Sequence, residues 1–422
     1  MSAGPRLLHA DAVIVGDGST VRDGAIVVDD RGVIRDVGDA ASVRARSTGA
    51  SIERLSGVLF PGLVNAHTHL ELSGLRGKTT IGAGFVPWLT SLQRARLDED
   101  ELERDAAIDR AIAQLVECGV VAVGEVSNSL VAWRRLARHL VGVIFHEVYA
   151  MDRDAGLAQL ATVDATRDEM SPTGAHAHAL DYVLAPHALY STHPDVVRAI
   201  VARSPAGAMT MHLAEHAAER AFLERGEGPW REFLTARGAG SALDRFPIPR
   251  KSPIEYAASL GVLRPGAAMV HLTDARPDEL ALVAEARAIA VLCPRSNLTL
   301  ETRLPPLLAM RAAGVDLALG TDSLSSSPSL DPLAEARALH DRTPDFPASV
   351  LVAAATSGGA RALGFGDRLG RLAVGLQPGV LHVATPASSS LPGDVDPSAW
   401  LLRAIDRPRR VVANAMKTGV SS

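Results

Sequence analysis

From Leu59 onward the chain repeats one pattern, a short apolar run followed by a longer stretch of helical period, at intervals that suit strand–helix units. A parallel sheet covered by helices is what such alternation builds. The runs fall at residues 58–65, 120–125, 141–149, 181–185, 208–211, 268–271, 290–292 and 316–320. Eight of these units close an α/β fold of the (β/α)8 TIM-barrel type. The clearest helix, 98–118, carries Leu102, Ala106, Ile112, Leu115 and Val116 on one stripe and stops at Gly119.

Both ends of the chain break this rhythm. Residues 11–58 read as short strands and turns (DAVIVGDG, GAIVVDD, VIRDVG), and after Gly366 GRLAVGLQPGVLHVAT and RPRRVVANAM read the same way. The expectation is a small β-sandwich domain of residues 1–58 plus 366–422 beside a barrel of residues 59–365. The Ser-, Pro- and Gly-rich stretch 386–397 is read as a loop, and no fixed-period repeat suggests a solenoid.

With 422 residues, 47% apolar and 22% charged, the chain can bury a large core. Forty-three basic against 48 acidic residues give a net charge of −5, so no field favours a polyanion and nucleic acid is not expected as a partner. No run approaches the roughly 18 apolar residues that span a bilayer, and the N-terminal stretch lacks a basic region followed by an apolar one. A cytoplasmic protein without a membrane partner is expected. Cys118 and Cys293 lie in apolar surroundings and are expected as reduced core residues. Lysine occurs only at Lys78, Lys251 and Lys417, outside every motif below.

The chemistry gathers where the predicted strands end, at the rim where barrels of this kind place their active sites. His67 and His69, in PGLVNAHTHLELSGLRG, are one residue apart on an extended segment, so both imidazoles face one side and can reach one metal ion. His212 follows the fifth run in MTMHLAEHAAE, His271 the sixth in MVHLTDA, and Asp322 the eighth in LALGTDSLSSS. A lone histidine at a strand end is more often structural than a ligand. Four separate coincidences of this kind make that account poor.

On these motifs the chain resembles the amidohydrolase superfamily, in its branch of metal-dependent deaminases and chlorohydrolases, over nearly its whole length. The resemblance implies one divalent metal on His67, His69, His212 and Asp322, with Zn2+ the best fit and Fe2+ or Mn2+ chemically suited. It implies Glu215, in HLAE, as the proton shuttle between the attacking water and the ring nitrogen. His271 would hydrogen-bond the nucleophile or the tetrahedral centre, and Asp322 would relay a second proton to departing ammonia.

HTHLELSGLRG and HLAEHAAERAFLERGEGPWREFL resemble the 6-amino-6-deoxyfutalosine deaminases of menaquinone biosynthesis, which implies a small-molecule nucleoside substrate ending in a benzoate. A carboxylate calls for a partner, and arginine's fork matches it. Arg76 and Arg153 are the candidates, with Ser127 as a hydrogen-bond alternative. His187 is placed for the sugar or ring, Asn297 in CPRSNLTL shapes the pocket, and Glu71 either touches substrate or buttresses the metal histidines. His193, before Pro194, is read as a helix start. Phe85, Trp88, Tyr190 and Trp230 are available for stacking, though core packing is the plainer role for each. Segments 79–96 and 224–252 are read as long connections near the mouth, at least one of which moves over substrate.

The rival activities are an adenosine or S-adenosylhomocysteine deaminase, and a chlorohydrolase or cyclic amidohydrolase. A non-enzymatic scaffold fits worse, since such proteins lose ligands and none is missing. Self-association as a homo-oligomer is left open.

Overall fold

The computed structural model describes residues 4–204, 207, 209–386, 389–404 and 406–413. The chain begins with β1 (Arg6–Ile14), β2 (Thr20–Val28), β3 (Ile34–Asp39), helix α1 (Ala40–Arg46) and β4 (Ser51–Pro61). Eight short strands follow: β5 (Leu63–Thr68), β6 (Val120–Ser127), β7 (Val141–Val148), β8 (Leu180–Pro186), β9 (Thr210–Leu213), β10 (Ala268–His271), β11 (Ile289–Leu292) and β12 (Asp316–Leu319). The chain returns with β13 (Val380–Val383) and β14 (Arg409–Val412).

Strands β5 to β8 form one parallel four-stranded sheet in sequence order, and β9 to β12 a second. Every residue of β5, β6, β7, β9, β10 and β11 is buried, as expected of parallel strands covered on both faces. The two sheets meet at two seams. At one, His212 N–H donates to the His187 carbonyl at 3.0 Å; at the other, Thr321 and Asp322 N–H donate to the His67 carbonyl at 2.9 and 3.1 Å. The second seam needs Gly320, where a Cβ would stand 2.6 Å from His67 Cβ and 2.9 Å from its backbone nitrogen.

Several expectations change. The run read as one strand at 58–65 is two: β4 reaches Pro61 in the terminal sheet, paired with Val380 of β13, and β5 starts after Gly62. A side chain at Gly62 would collide with Val121 and the Pro378 carbonyl, so the chain can turn there only without one. The terminal strands make one six-stranded sheet, β14-β13-β4-β1-β2-β3, and not a sandwich of two sheets. Leu8, Ile26, Ile34, Leu59, Val380 and Val412, one from each strand, share a single apolar cluster, so this sheet wraps its own core. The predicted strand residue Ala208 and the end of the chain from residue 414 lie outside the described residues.

Helices α2 (Phe85–Leu97) and α3 (Glu101–Glu117) link β5 to β6. Asp100 caps α3 by accepting from Leu102 and Glu103 N–H at 2.9 and 3.0 Å, and Gly119, at φ +86°, turns the chain beyond its end. Its buried stripe is Ala107, Ile108, Ala111, Ile112 and Leu115, whereas Leu102 and Ala106 are exposed, so the covered face is rotated from the expected one. Segment 79–96 is therefore mostly α2, and 224–252 contains helices Pro229–Ala236 and Gly240–Arg245. Helix Pro397–Arg403 follows the 386–397 loop. Cys118 and Cys293 are both buried and free, and no described helix is long and apolar enough to cross a membrane.

Candidate active site

The strand ends bring the predicted residues together. His67 lies on β5, His69 just beyond it, His212 on β9, His271 at the end of β10 and Asp322 after β12. Here the backbone is forced into the left-handed region at residues that are not glycine: Ala214 (φ +48°), His271 (φ +75°), Leu272 (φ +50°) and Asp322 (φ +57°). Each costs on the order of 1–3 kcal/mol and persists only where the surroundings impose it.

One nitrogen from each of His67, His69 and His212 lies within 4.8 Å of the others. His69 Nε2 stands 3.2 Å from His212 Nε2 and 3.8 Å from Asp322 Oδ1. His212 Nδ1 donates to the His187 carbonyl at 3.1 Å, leaving a lone pair on Nε2. Both His67 nitrogens are buried without a hydrogen-bond partner. Burial, then the charges of neighbouring imidazoles, hold His67 and His212 well below the usual histidine range, and burial lowers His69 against the pull of Asp322. Burial alone would raise the Asp322 carboxyl, but His69, His271 and His67 outweigh it and bring it down to about 2. Neutral imidazoles with free lone pairs beside an ionised carboxylate are the protonation states a divalent metal requires, so the donor set fits one.

Glu215 sits beside this cluster, its Oε1 3.5 Å from His271 Nε2, and burial followed by the Asp322 charge raises its carboxyl well above the ordinary range. Its backbone N–H donates to Glu219 Oε2 at 2.9 Å. Asn297 Nδ2 donates to His271 Nδ1 at 3.0 Å, which puts the His271 proton on Nε2, facing Glu215. Ser296 and Ser326 hydroxyls donate to Asp322 Oδ2 at 2.5 and 3.1 Å. Ser296 and Asn297 thus stand behind Asp322 and His271 on helix Pro294–Glu301.

The cluster opens into a cavity of about 400 Å³. Phe85, Trp88, Tyr190 and Trp230 line it and are also buried, so packing and exposure to the cavity coincide in these rings. His187 lines it too, 4.9 Å from the His212 ring, with Nδ1 2.6 Å from Ser191 Oγ, and burial brings it down to about 3. His193 caps helix Pro194–Arg203 by accepting from Asp195 N–H.

The two arginines expected at the cavity are elsewhere. Arg76 follows the buried turn Leu70–Leu75 and donates to the Pro328 carbonyl at 2.7 Å. Arg153 opens helix Arg153–Met170, where Asp154 and Asp195 hold it at 2.8 and 2.9 Å on the exposed side. Ser127 does not line the cavity; it donates to Glu71 Oε2 at 3.0 Å. Glu71 does line it, but its oxygens already accept from Ser127, Ser129, Asn128 and Arg96. Burial would raise its carboxyl; Arg96 and these hydrogen bonds reverse that and hold it ionised.

Arg96, Gln93, Asn128 and Glu147 line the cavity and were missed. Glu147 Oε1 is 3.4 Å from His212 Nδ1, and burial followed by the Glu71 charge raises its carboxyl to about 8. Its signal was its place at the end of β7, in FHEV, equivalent to that of the histidines. Arg96 was hidden because α2 had been read as a connection; with the helix in hand, Phe85, Trp88, Leu89, Leu92, Gln93 and Arg96 fall on one face.

Residues 58–387 match the model of the amidohydrolase family. The chain is 29% identical over 371 residues to the aminodeoxyfutalosine deaminase of Deinococcus radiodurans, covering 85% of this chain and 86% of the relative. It is equally 29% identical over 391 residues to a 5-methylthioadenosine/S-adenosylhomocysteine deaminase of Halobacterium salinarum, covering 88% and 81%. Among solved structures it shares the fold of Helicobacter pylori aminofutalosine deaminase in complex with methylthio-coformycin, with a TM-score of 0.78, 22% identity and coverage of 98% and 99%. An adenosine deaminase from Xanthomonas campestris with bound zinc gives a TM-score of 0.72 at 25% identity, covering 97% and 90%.

Proposed function

The chain belongs to the amidohydrolase family, whose members are metal-dependent hydrolytic enzymes, and from that premise we propose that it deaminates an adenine-type nucleoside. The substrate in this reading is 6-amino-6-deoxyfutalosine, converted to futalosine with release of ammonia, a step of menaquinone biosynthesis. One observation carries it: three imidazoles and a carboxylate from distant strand ends gather beside a buried glutamate in a 400 Å³ cavity. The reading also takes the two four-stranded sheets as one closed (β/α)8 barrel of residues 59–365. The terminal sheet is then a separate small domain of residues 1–58 plus 366–422.

His67, His69, His212 and Asp322 would hold one divalent ion, and three nitrogens with one carboxylate suit zinc, with Fe2+ and Mn2+ as the alternatives. Such an ion, when bound, supplies water of lowered pKa and orients it for attack. Glu215 takes a proton from the attacking water and gives it to the ring nitrogen beside the attacked carbon. The His271 Nε2–H, fixed in direction by Asn297, donates to the oxygen that becomes the new carbonyl. Asp322 passes the second proton to the departing ammonia. The aromatic rings of the cavity exclude water and offer faces for the base.

A second reading, a 5-methylthioadenosine or S-adenosylhomocysteine deaminase, is favoured by the equal identity to the Halobacterium relative. Ammonia release by the purified protein on 6-amino-6-deoxyfutalosine, adenosine, 5-methylthioadenosine and S-adenosylhomocysteine separates the two. The highest kcat/KM is expected on 6-amino-6-deoxyfutalosine. Equal or faster turnover of adenosine rejects that substrate, and no ammonia from any of the four rejects a deaminase in favour of a chlorohydrolase or cyclic amidohydrolase.

A further inference from the structure

Among the described residues lining the cavity, Arg96 is the only lysine or arginine. Its side chain is 42% exposed, while that of its partner Glu71 is only 2% exposed. The pairing uses one nitrogen, Nη2, at 3.3 Å from Glu71 Oε1. Among the described residues, Nε and Nη1 have no protein partner.

Glu71 has other hydrogen-bond donors besides this contact. Ser127 Oγ at 3.0 Å, Ser129 N–H at 3.2 Å, the Ser129 hydroxyl and Asn128 N–H at 3.3 Å all donate to its carboxylate. Four hydrogen bonds therefore remain on Glu71 when the guanidinium turns away. Three residues before Arg96, on the cavity-lining face of α2, Gln93 Oε1 is buried with no hydrogen-bond partner. This face of α2 therefore offers an uncommitted donor fork and an unmet acceptor, beside the apolar side chains of Leu89 and Leu92.

We infer that Arg96 is the subsite for a carboxylate on the substrate's 5′ extension, turning from Glu71 to grip that group through its free nitrogens. One guanidinium matches the single charge and planar shape of a carboxylate; a phosphate would call for further donors, and no second lysine or arginine lines the cavity among the described residues. A neutral extension would leave the fork unused. The inference rests on the nucleoside reading above and names the anionic class of substrate within it.

The test compares 6-amino-6-deoxyfutalosine with its carboxylate methyl ester, by calorimetric binding to metal-loaded protein in a Glu215→Gln background that arrests turnover. With Arg96 present the acid is expected to bind about 10- to 100-fold tighter than the ester, as a charge-assisted pair should. Arg96→Ala should bring that ratio close to one, and Arg96→Lys should keep part of it. A ratio unchanged in Arg96→Ala overturns the inference, as does equal weakening of both ligands, which would make Arg96 structural, or absence of binding by either. Ammonia assays on the protein with Glu215 intact report separately on the deaminase reading. An Arg96-dependent ratio without ammonia sinks that reading alone, and ammonia with no Arg96 dependence sinks this inference alone.

Discussion

Glu215 and His69 are both buried and share one cluster, yet their proposed duties differ, and substitution separates them. Glu215→Gln removes the proton carrier and keeps the shape, so kcat should fall by about 10²- to 10⁴-fold with metal content unchanged. His69→Ala should lose the metal itself; full activity in either variant contradicts the roles. His216, four residues after His212, tests burial instead. Its Nδ1 accepts from Glu219 N–H at 3.0 Å to cap helix Ala217–Arg225, its ring stacks on Phe85 at 4.0 Å, and burial brings it down to about 3. The unfolded ring takes up a proton below about pH 6.5, so its contribution to stability is whole above that pH and drains away as pH falls toward 3. His216→Asn keeps a capping acceptor and removes the titration. Between pH 6 and 4, urea melts should show the parent losing stability faster than the variant by up to about 1.4 kcal/mol per pH unit. Parallel curves would refute a neutral buried ring.

Among the elements, α3 shows what the sequence conveys and what it hides. Its existence and its stop at Gly119 are legible, because a period of 3.6 and a glycine in the left-handed region are local facts. Its buried stripe was displaced, because which face is covered depends on the neighbours it packs against, β6 and the turn Leu70–Leu75. Asp100→Ala should cost about 1 kcal/mol of unfolding free energy through the lost cap and leave kcat unchanged, read by denaturant melts and assay. A change in kcat would mean that α3 positions the site more tightly than its packing suggests. The metal-site pattern was legible because His67, His69, His212, His271 and Asp322 each follow an apolar run. Arg76 and Arg153 misled because proximity to a strand end does not tell which way a long side chain turns. Nearby Pro328 and Asp195 took them elsewhere.

At the scale of the whole molecule, the two seams between the four-stranded sheets run through the candidate ligands: His67 bonds to the Thr321–Asp322 backbone, and His212 to His187. An ion shared by His67, His69, His212 and Asp322 would tie β5, β9 and the segment after β12 together, coupling closure of the fold to the chemistry. A ligand that binds only the folded state stabilises it, so chelation should lower the melting temperature and re-addition of Zn2+ should restore it. An unchanged melting temperature would uncouple the two. The alternation of strand and helix made this architecture legible in outline. The single terminal sheet was not, since Leu8 and Val412 join one cluster from opposite ends of the chain and no local pattern connects them. The most direct measurement is elemental analysis of protein purified without chelator, combined with X-ray absorption at the metal edge. The account predicts one divalent ion per chain in a shell of nitrogen and oxygen that disappears in His67→Ala; two ions per chain, sulfur ligation, or no metal at all would contradict it.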